Sequence, residues 1–524
     1  NAGGGGEAGG GPMGGGGMAP CEPSACQDCL SGALECPLVG RDPGDFVASL
    51  AGAAPAVPNV FITDGLEASD ASVRLLGTFS SSMLVLPSET LTADGVLQSG
   101  FVLDGSGNAV FAAGPCDDDD APGGADNEVF FNAITESGSR LVVAGAFESG
   151  RLIVFGGAST GNTLDCSDSN DGIVEGPATT QTELTPMLLW LDLSHALDRW
   201  LVPADVGSTN ENGYLADVAP FPSSANGTVA AVGMAMRNPF LAMPSFGGED
   251  RYFVVVSDGV TEAEVEPLDW GLCDSNQFVG LAGLKSSIAV DASSRIWVAG
   301  AGCPVGSPDD STPRGFLGRL TTVGESPVGF PLVAPIGDGF DPIEVTEIGL
   351  TETRVILAGT YSGAPIAGVE PGSDDAFVMA YDQASFGTQS QPVWFRRIGS
   401  DLGPVQVDRL VVADGRIFVA GVTSKNISVG ASSTCITSDP LDGGRAFFAE
   451  LREQDGALGW AHLDGFESGS GTFEFSARGT AIVPQTGGLL TATSTRGSFD
   501  LGCNGPATSP TAAQGWVRRF DFPN

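Results

Sequence analysis

A pair of β-forming segments recurs seven times along this chain, and this repeat restricts the folds open to it. In each copy, a short apolar run ending in a small residue or glycine precedes a polar loop and a second run with a bulky apolar residue near its start. The first runs span residues 73–78, 141–146, 229–234, 296–301, 355–360, 417–422 and 489–494. Repetition of one supersecondary unit at a long, regular interval indicates copies arranged around an axis or along a line.

Each repeat divides into four candidate strands, and the fifth repeat shows them most clearly. Its strands are predicted at 343–350, 354–360, 376–382 and 392–399. Val, Ile and Phe dominate these runs, and Asp-Gly and Gly-Gly pairs between runs are typical of hairpin turns. Because helix-period stretches are nearly absent, the sequence predicts an all-β fold, a seven-bladed β-propeller of four-stranded antiparallel blades.

The seventh repeat has only three candidate strands, at about 472–485, 487–496 and 514–521, before the chain stops. The segment DFVASLAG at 45–52 is similar to the fourth strands of other repeats, such as GWAHLDG. We therefore expect this N-terminal strand to close the ring against the last blade. Closure removes the open sheet edges that otherwise promote aggregation.

The residues before the propeller, which we assign to 45–524, form two short segments. Residues 1–20 are glycine-rich and predict a flexible linker or a docking arm, and residues 21–44 predict a small cysteine-rich cap. The chain begins at Asn1 rather than Met, so we expect a removed leader, and a lipid tether upstream of Asn1 is compatible with it. Ten cysteines, an even number, favour an oxidising, secreted location.

The charge balance narrows the range of partners. The chain has 64 acidic and 23 basic residues, a net charge of −41. Such a surface repels nucleic acids and anionic membrane faces, so we expect no nucleic-acid partner. No run of eighteen apolar residues occurs, and we expect no transmembrane segment.

Four segments resemble a known repeat family. IAVDASSRIWVAG at 288–300, DDAFVMAYD at 374–382, and RIFVAGV followed by RAFFAEL are similar to the bacterial secreted β-propeller repeats (SBBP-like repeats). The resemblance covers about 45–523 and is strongest in repeats four to six. It implies an extracellular or cell-surface location in a bacterium and no common enzymatic activity.

The positions of six cysteines predict three disulfides. In an up-and-down blade, the loops between second and third strands emerge on the same face as the loops joining one blade to the next. Cysteines in neighbouring loops of this face form the pairs Cys116–Cys166, Cys273–Cys303 and Cys435–Cys503. Each bridge closes a loop of tens of residues and stabilises the fold by about 3–4.5 kcal/mol. We expect this face, which also has the longest loops, to be the binding face.

The remaining cysteines lie together in the N-terminal cap: Cys21, Cys26, Cys29 and Cys36. We expect two local disulfides among them. Their C-x4-C-x2-C spacing leaves an iron–sulfur cluster or a zinc site as the alternative.

Two acidic segments, at 116–128 and 165–175, lie side by side if Cys116 and Cys166 are bonded. Their oxygen donors are suited to Ca²⁺, and no other cofactor is expected. The candidate ligands are Asp117, Asp118, Asp119, Asp120, Asp165, Asp168, Asp171 and Glu175. The alternative is a pair of solvated loops that repel each other.

No local motif in the chain identifies a catalytic site. The GASTG at 157–161 matches a nucleophile elbow, but a polar loop follows it where a hydrolase requires a helix. We therefore expect a non-enzymatic extracellular propeller, a structural or protein-interaction subunit of a cell-surface assembly that associates through its N-terminal extension. The alternatives are a secreted glycan-binding or calcium-dependent ligand-binding propeller and, third, a propeller hydrolase or lyase. A buried, convergent pair of carboxylates at the axial mouth would favour the third.

The calcium hypothesis predicts a change in thermal stability. A ligand that binds only the native state raises its melting temperature. We expect calcium to raise the melting temperature above the value measured with a chelator, and magnesium at equal concentration controls for ionic strength. Equal melting temperatures in calcium and in chelator would exclude the site.

Overall fold

The computed structural model describes residues 46–521 apart from internal gaps. The longer gaps are 116–127, 203–212, 236–250, 274–285, 430–444 and 467–476. The described residues form β-strands connected by turns and loops. Nowhere in these ranges does a helix combine the length and the apolarity needed to cross a membrane.

The strands follow one another along the chain without an intervening helix in the described ranges. The first part has β1 Phe46–Gly52, β2 Asn59–Glu67, β3 Val73–Ser80, β4 Met83–Val85, β5 Thr90–Ala93, β6 Gln98–Asp104, β7 Ala109–Pro115, β8 Val129–Ser137, β9 Arg140–Glu148, β10 Arg151–Gly156, β11 Thr163–Leu164, β12 Gly172–Glu175, β13 Leu184–Leu191 and β14 Leu197–Leu201. The middle part has β15 Gly213–Pro220, β16 Val229–Ala235, β17 Arg251–Ser257, β18 Glu264–Gly271, β19 Ser286–Val290, β20 Ile296–Pro304, β21 Arg314–Leu320, β22 Thr322–Val323, β23 Ser326–Pro327 and β24 Leu332–Ile336. The last part has β25 Ile343–Leu350, β26 Arg354–Gly363, β27 Gly372–Asp382, β28 Trp394–Gly399, β29 Val405–Ala413, β30 Arg416–Thr423, β31 Ser428–Val429, β32 Arg445–Arg452, β33 Leu458–Leu463, β34 Gly465–Phe466, β35 Ala477–Gln485, β36 Gly488–Asp500 and β37 Pro506–Asp521.

Antiparallel sheets extend outward from a set of inner strands. The inner strands are β2, β8, β15, β19, β25, β29 and β35. Each contacts the next in chain order, and β35 contacts β2. Sheets such as β25-β26-β27-β28 and β29-β30-β32-β33 begin at these strands. Radial four-stranded sheets around one axis make the protein a β-propeller.

The N-terminal strand belongs to the sheet that contains the last strands of the chain. β1 lies antiparallel to β37, with Phe46 opposite Arg518 and Leu50 opposite Gly515. β37 in turn pairs with β36, and β36 with β35. The start and the end of the described chain therefore share one sheet.

The cores lie between neighbouring sheets. Val378 and Ile398 of one sheet pack with Val419 and Phe447 of the next in a cluster of fully buried side chains. Burial of this kind of apolar surface is the main force that holds sheets face to face. Similar clusters of buried side chains fill the space between other neighbouring sheets. These sheets are therefore buried on both faces near the axis.

A β-bulge interrupts every inner strand except β19 at the same level. In β8, for example, the register shifts between Phe131 and Ala133, and the same shift occurs in the others. The bulge brings a carbonyl oxygen close to the second strand of the sheet. A Cβ at Gly145 would lie 1.9 Å from the Phe130 carbonyl oxygen, so only glycine fits there. A carbonyl oxygen lies similarly close at Gly77, Gly233, Gly359 and Gly421, which explains the glycine in five of the seven first runs.

The motif IAVDASSRIWVAG has a structural role in the turn between β19 and β20. The Asp291 carboxylate accepts hydrogen bonds from the backbone amides of Ser293 at 2.8 Å and Arg295 at 3.0 Å. It also accepts one from the indole nitrogen of the buried Trp297 at 3.0 Å. An aspartate at this position stabilises a tight turn because its short side chain reaches the following amides.

The position of β1 leads to a test by deletion. Removing residues 1–52 leaves the β37 edge without its partner, so we expect a clear fall in the midpoint of chemical unfolding relative to the full chain. Removing only residues 1–44 is the matched control and should leave the midpoint unchanged. Equal midpoints for the two shortened chains would show that β1 does not stabilise the last sheet.

Candidate functional site

The bulges place charged residues at one level of the inner strands. The residue directly after the bulge is Asp64 in β2, Asp217 in β15, Glu347 in β25 and Arg409 in β29. Each of them interrupts an otherwise apolar strand. A charged side chain in such a position requires a partner, because desolvation without one is costly.

Asp64 is fully buried and held by two strands. One carboxylate oxygen accepts a hydrogen bond from the amide of Gly65 at 2.6 Å, and the other from the amide of Ile134 on β8 at 2.9 Å. A terminal guanidinium nitrogen of Arg409 lies 2.5 Å from the first oxygen. Asp64 therefore joins neighbouring inner strands and binds the one positive charge at this level of the described chain.

Arg409 connects Asp64 to Glu347. Its other terminal nitrogen lies 3.6 Å from a carboxylate oxygen of Glu347, and its side chain is 17% exposed. Its Nε is buried without a hydrogen-bond partner among the described residues. Two carboxylates thus offset the burial of one guanidinium, an arrangement in which loss of either partner is costly.

Asp217 on β15 has an arrangement similar to that of Asp64 on β2. One carboxylate oxygen accepts a hydrogen bond from the amide of Val218 at 2.8 Å. The other accepts from the Ser287 hydroxyl at 2.6 Å and from the amide of Ile288 on β19 at 2.9 Å. The third partner differs: at Asp217 it is a hydroxyl on the oxygen that faces the neighbouring strand, and at Asp64 it is a guanidinium on the other oxygen.

A cavity of about 330 Å³ lies at the axis beside these residues. Its polar lining consists of Glu67, Thr135, Asp217, Ser287, Glu347 and Arg409. Ile134, Ile348 and Ile482 add apolar surface, and Asp64 lies behind the lining. We call this space the axial cavity.

The axial cavity extends from the charged level toward the C-terminal ends of the inner strands, where Glu67 and Pro484 line it. These ends lead into the hairpins between first and second strands. The sequence pointed instead to the opposite face, where the second strands end. Loop length favours that opposite face, whereas the lining of the axial cavity comes from the inner strands themselves.

Burial raises the pKa of the Asp64 carboxyl to about 6, and the negative charge of Asp217 acts in the same direction. The Arg409 guanidinium and the amides of Ile134 and Gly65 oppose this shift without cancelling it. Burial disfavours the charged form of a carboxyl group, and here this effect is the largest.

Of the residues predicted from the sequence, the structure brings Cys273 and Cys303 together. They form a disulfide with Cα atoms 4.8 Å apart, beside the pairing of β18 with β20. The other predicted cysteines lie outside the described residues, namely Cys116, Cys166, Cys435, Cys503, Cys21, Cys26, Cys29 and Cys36.

Most of the predicted calcium ligands also lie outside the described residues, namely Asp117, Asp118, Asp119, Asp120, Asp165, Asp168 and Asp171. Glu175 is the last residue of β12, which pairs with β10. Within the described ranges, no three side chains of His, Cys, Asp or Glu come together as a metal site. The calcium site stays a prediction.

Sequence reasoning did not single out Asp64, Asp217, Glu347 or Arg409. A signal for them exists, since each is a charged residue inside an apolar first strand, as in FITDGL, YLADVA, VTEIGL and VDRLVV. Alignment of the first strands of all repeats places these residues at one level. That alignment requires the bulge, which the sequence pattern alone does not reveal.

No protein-family model and no curated protein matches the chain. Solved structures do resemble it. The phage phi92 endosialidase aligns with a TM-score of 0.39 and 9% identity, over 91% of this chain and 70% of its own. A sialidase of Trypanosoma rangeli in complex with sialic acid aligns with a TM-score of 0.31 and 9% identity, over 74% of this chain and 54% of its own. BamB from Moraxella catarrhalis aligns with a TM-score of 0.31 and 12% identity, over 87% of this chain and 99% of its own.

These similarities concern the fold, which is a β-propeller in all of them. The narrower resemblance to the bacterial secreted repeat family has no support from a family model. The expectation that the chain is not an enzyme is contradicted, because the solved structures similar to it are mostly enzymes, among them the endosialidase and the sialidase.

Asp64 predicts a specific pH dependence of stability. Because its pKa is raised in the folded state, the folded protein holds a proton that the unfolded chain has lost between about pH 4 and pH 6. The wild type should therefore lose stability relative to Asp64→Asn as the pH rises through this window, by up to about 3 kcal/mol at pH 7. Chemical unfolding of both proteins at pH 4, 5, 6 and 7 measures this difference.

Asp70→Asn is the matched control for this experiment. Hydrogen bonds from Ser72 lower the pKa of the Asp70 carboxyl. The stabilisation from this group is present at neutral pH and is lost as the pH falls, so the control should show the opposite slope. Parallel profiles for Asp64→Asn and the wild type would contradict the raised pKa.

Proposed function

We propose that this protein binds a sugar-sized, polyhydroxylated ligand in the axial cavity and acts on it by acid–base chemistry, as a propeller hydrolase or lyase. The observation that supports this proposal is the convergence of Glu347, Asp217 and Arg409 on one cavity of about 330 Å³. Small-molecule sites occupy about 300–1,000 Å³, with a few convergent polar groups in an otherwise apolar lining.

The lining offers both hydrogen-bond donors and acceptors to a polyol. The hydroxyls of Thr135 and Ser287 do both, the carboxylates of Asp217 and Glu347 accept, and the guanidinium of Arg409 donates. Ile134 and Ile348 provide apolar contact for the C–H face of a sugar ring. Polyhydroxylated ligands require this mixture because every ring hydroxyl that leaves water needs a new partner.

The proposed chemistry assigns different roles to the two carboxylates of the lining. Glu347 is 8% exposed and is the acid–base residue, which Arg409 holds in place. Asp217 is the second carboxylate, fixed by the Ser287 hydroxyl and by the amides of Val218 and Ile288. Cleavage of a glycosidic bond ordinarily uses two carboxyl groups in this way, one as the acid and one as the base or nucleophile.

Asp64 has a supporting role in this proposal. It does not line the axial cavity, so it cannot touch the substrate directly. Its hydrogen bonds to two strands fix its carboxylate, and its contact with Arg409 determines where the guanidinium lies. A site whose groups are fixed before the substrate binds avoids the cost of reorganisation.

We further infer that the scaffold is a seven-bladed propeller that β1 closes. The cyclic contacts of the inner strands and the antiparallel pairing of β1 with β37 support this inference. A closed ring holds Asp64, Asp217, Glu347 and Arg409 at fixed distances, although they are far apart in sequence.

A secreted location at a bacterial cell surface, with a tether upstream of Asn1 and a protein partner or self-association through residues 1–44, remains a proposal. The acidic surface and the glycine-rich and cysteine-rich N-terminal sequence support it. Size-exclusion chromatography of the full chain and of the chain without residues 1–44 tests the association. Equal elution of the folded unit in both proteins would exclude a docking role for these residues.

The enzymatic proposal predicts that Glu347→Gln removes turnover. Loss of a general acid–base group lowers the rate by about 10²–10⁴-fold, whereas the amide keeps the size of the side chain. Release of nitrophenol from a panel of nitrophenyl glycosides, together with release of reducing ends from polysaccharides, measures the activity.

Glu352→Gln is the matched control, because Glu352 is an exposed residue in the turn after β25 and does not line the cavity. It should retain the wild-type rate. Thermal melting of both variants checks that they are folded. Absence of wild-type turnover across the panel, or equal rates in Glu347→Gln, would refute the proposal.

A further inference from the structure

The axial cavity has an imbalance of charge. Its lining contains the carboxylates of Glu67, Asp217 and Glu347 and a single guanidinium, that of Arg409. Asp64 already binds this guanidinium from behind at 2.5 Å. The positive charge in the lining is therefore neutralised by a residue that the ligand cannot displace, and the ligand faces a surplus of negative charge.

This surplus discriminates between ligands of the same shape. An anionic ligand would place its charge next to Asp217 and Glu347, where partial burial weakens the screening by water. A cationic ligand would supply the charge that the lining lacks, and an ammonium group donates three hydrogen bonds to carboxylate and hydroxyl oxygens. The binding affinity of a neutral sugar should lie between the affinities of the anionic and the cationic ligand.

The charge of the whole chain acts in the same direction. With a net charge of −41, the surface attracts cations and raises their local concentration near any opening. The long-range field and the local lining therefore favour the same class of ligand.

We propose that the axial cavity selects an amine-bearing sugar over a neutral sugar and excludes acidic sugars. This inference rests on the proposed function. The ammonium group binds between Glu347 and Asp217, and the hydroxyls of Ser287 and Thr135 hold the ring. Discrimination comes from the carboxylates, since the apolar part of the lining contacts all three kinds of sugar alike.

A series of three sugars of the same ring size tests this selectivity. Isothermal titration calorimetry at pH 6.5 measures the affinity of the wild type for glucosamine, glucose and glucuronate. We expect glucosamine to bind at least about tenfold more tightly than glucose, and glucuronate to give no measurable heat of binding. Glu347→Gln should lose most of the preference for glucosamine over glucose, and Glu352→Gln should keep it.

The outcomes separate the two proposals. If glucose binds as tightly as glucosamine, or if glucuronate binds most tightly, the charge selectivity is wrong while a sugar site remains. If none of the three sugars binds the folded wild type, the proposed function fails together with the selectivity. Retention of the full preference in Glu347→Gln would show that this carboxylate does not recognise the amine.

Discussion

The bulge in the inner strands is the constraint on which the rest of this structure depends. It brings a backbone carbonyl within 1.9 Å of the place where a Cβ would stand, both at Gly145 and at Gly359. A glycine in the second strand is therefore required at both positions, whereas β36, opposite the bulge of β35, has Thr493 at the corresponding place. The bulged residue also links neighbouring sheets, because the Thr63 hydroxyl and the Asn132 amide each donate a 2.7 Å hydrogen bond to a carbonyl on the next inner strand. The extra residue changes the direction in which the next side chain points, as bulges often do beside functional sites.

Much of the fold follows from the sequence because its causes are local. The first strand of the fifth repeat was predicted at 343–350 and is β25, Ile343–Leu350. The Asp-Ala-Phe of the repeat motif has a simple basis, since Asp375 is buried in an ion pair with Arg397 at 2.8 Å and the two following residues are fully buried. Alternation of apolar residues, turn residues and glycines encodes these features within a few positions of the chain.

The candidate site, in contrast, is formed by residues that are far apart in the sequence. Asp64 and Arg409 are 345 positions apart in sequence (409 − 64) and come together because β29 and β2 both pack against β35. Each of these residues, taken alone, is one charge in an apolar strand and has no motif around it. The prediction that no enzyme activity is present depended on the absence of local motifs, which is weak support in a propeller, where residues from distant parts of the sequence meet at the centre.

Asp64 and Asp217 have the same local arrangement, an aspartate directly after a bulge, but different surroundings. Both follow a bulge, and both accept hydrogen bonds from the next amide and from an amide of the neighbouring inner strand. At Asp217 the remaining partner is the Ser287 hydroxyl, and the carboxylate stays at the cavity lining. At Asp64 the partner is Arg409, and the carboxylate is fully buried with a raised pKa. The position after the bulge therefore supplies a fixed carboxylate, which lines the axial cavity at Asp217 and holds another residue of the lining at Asp64.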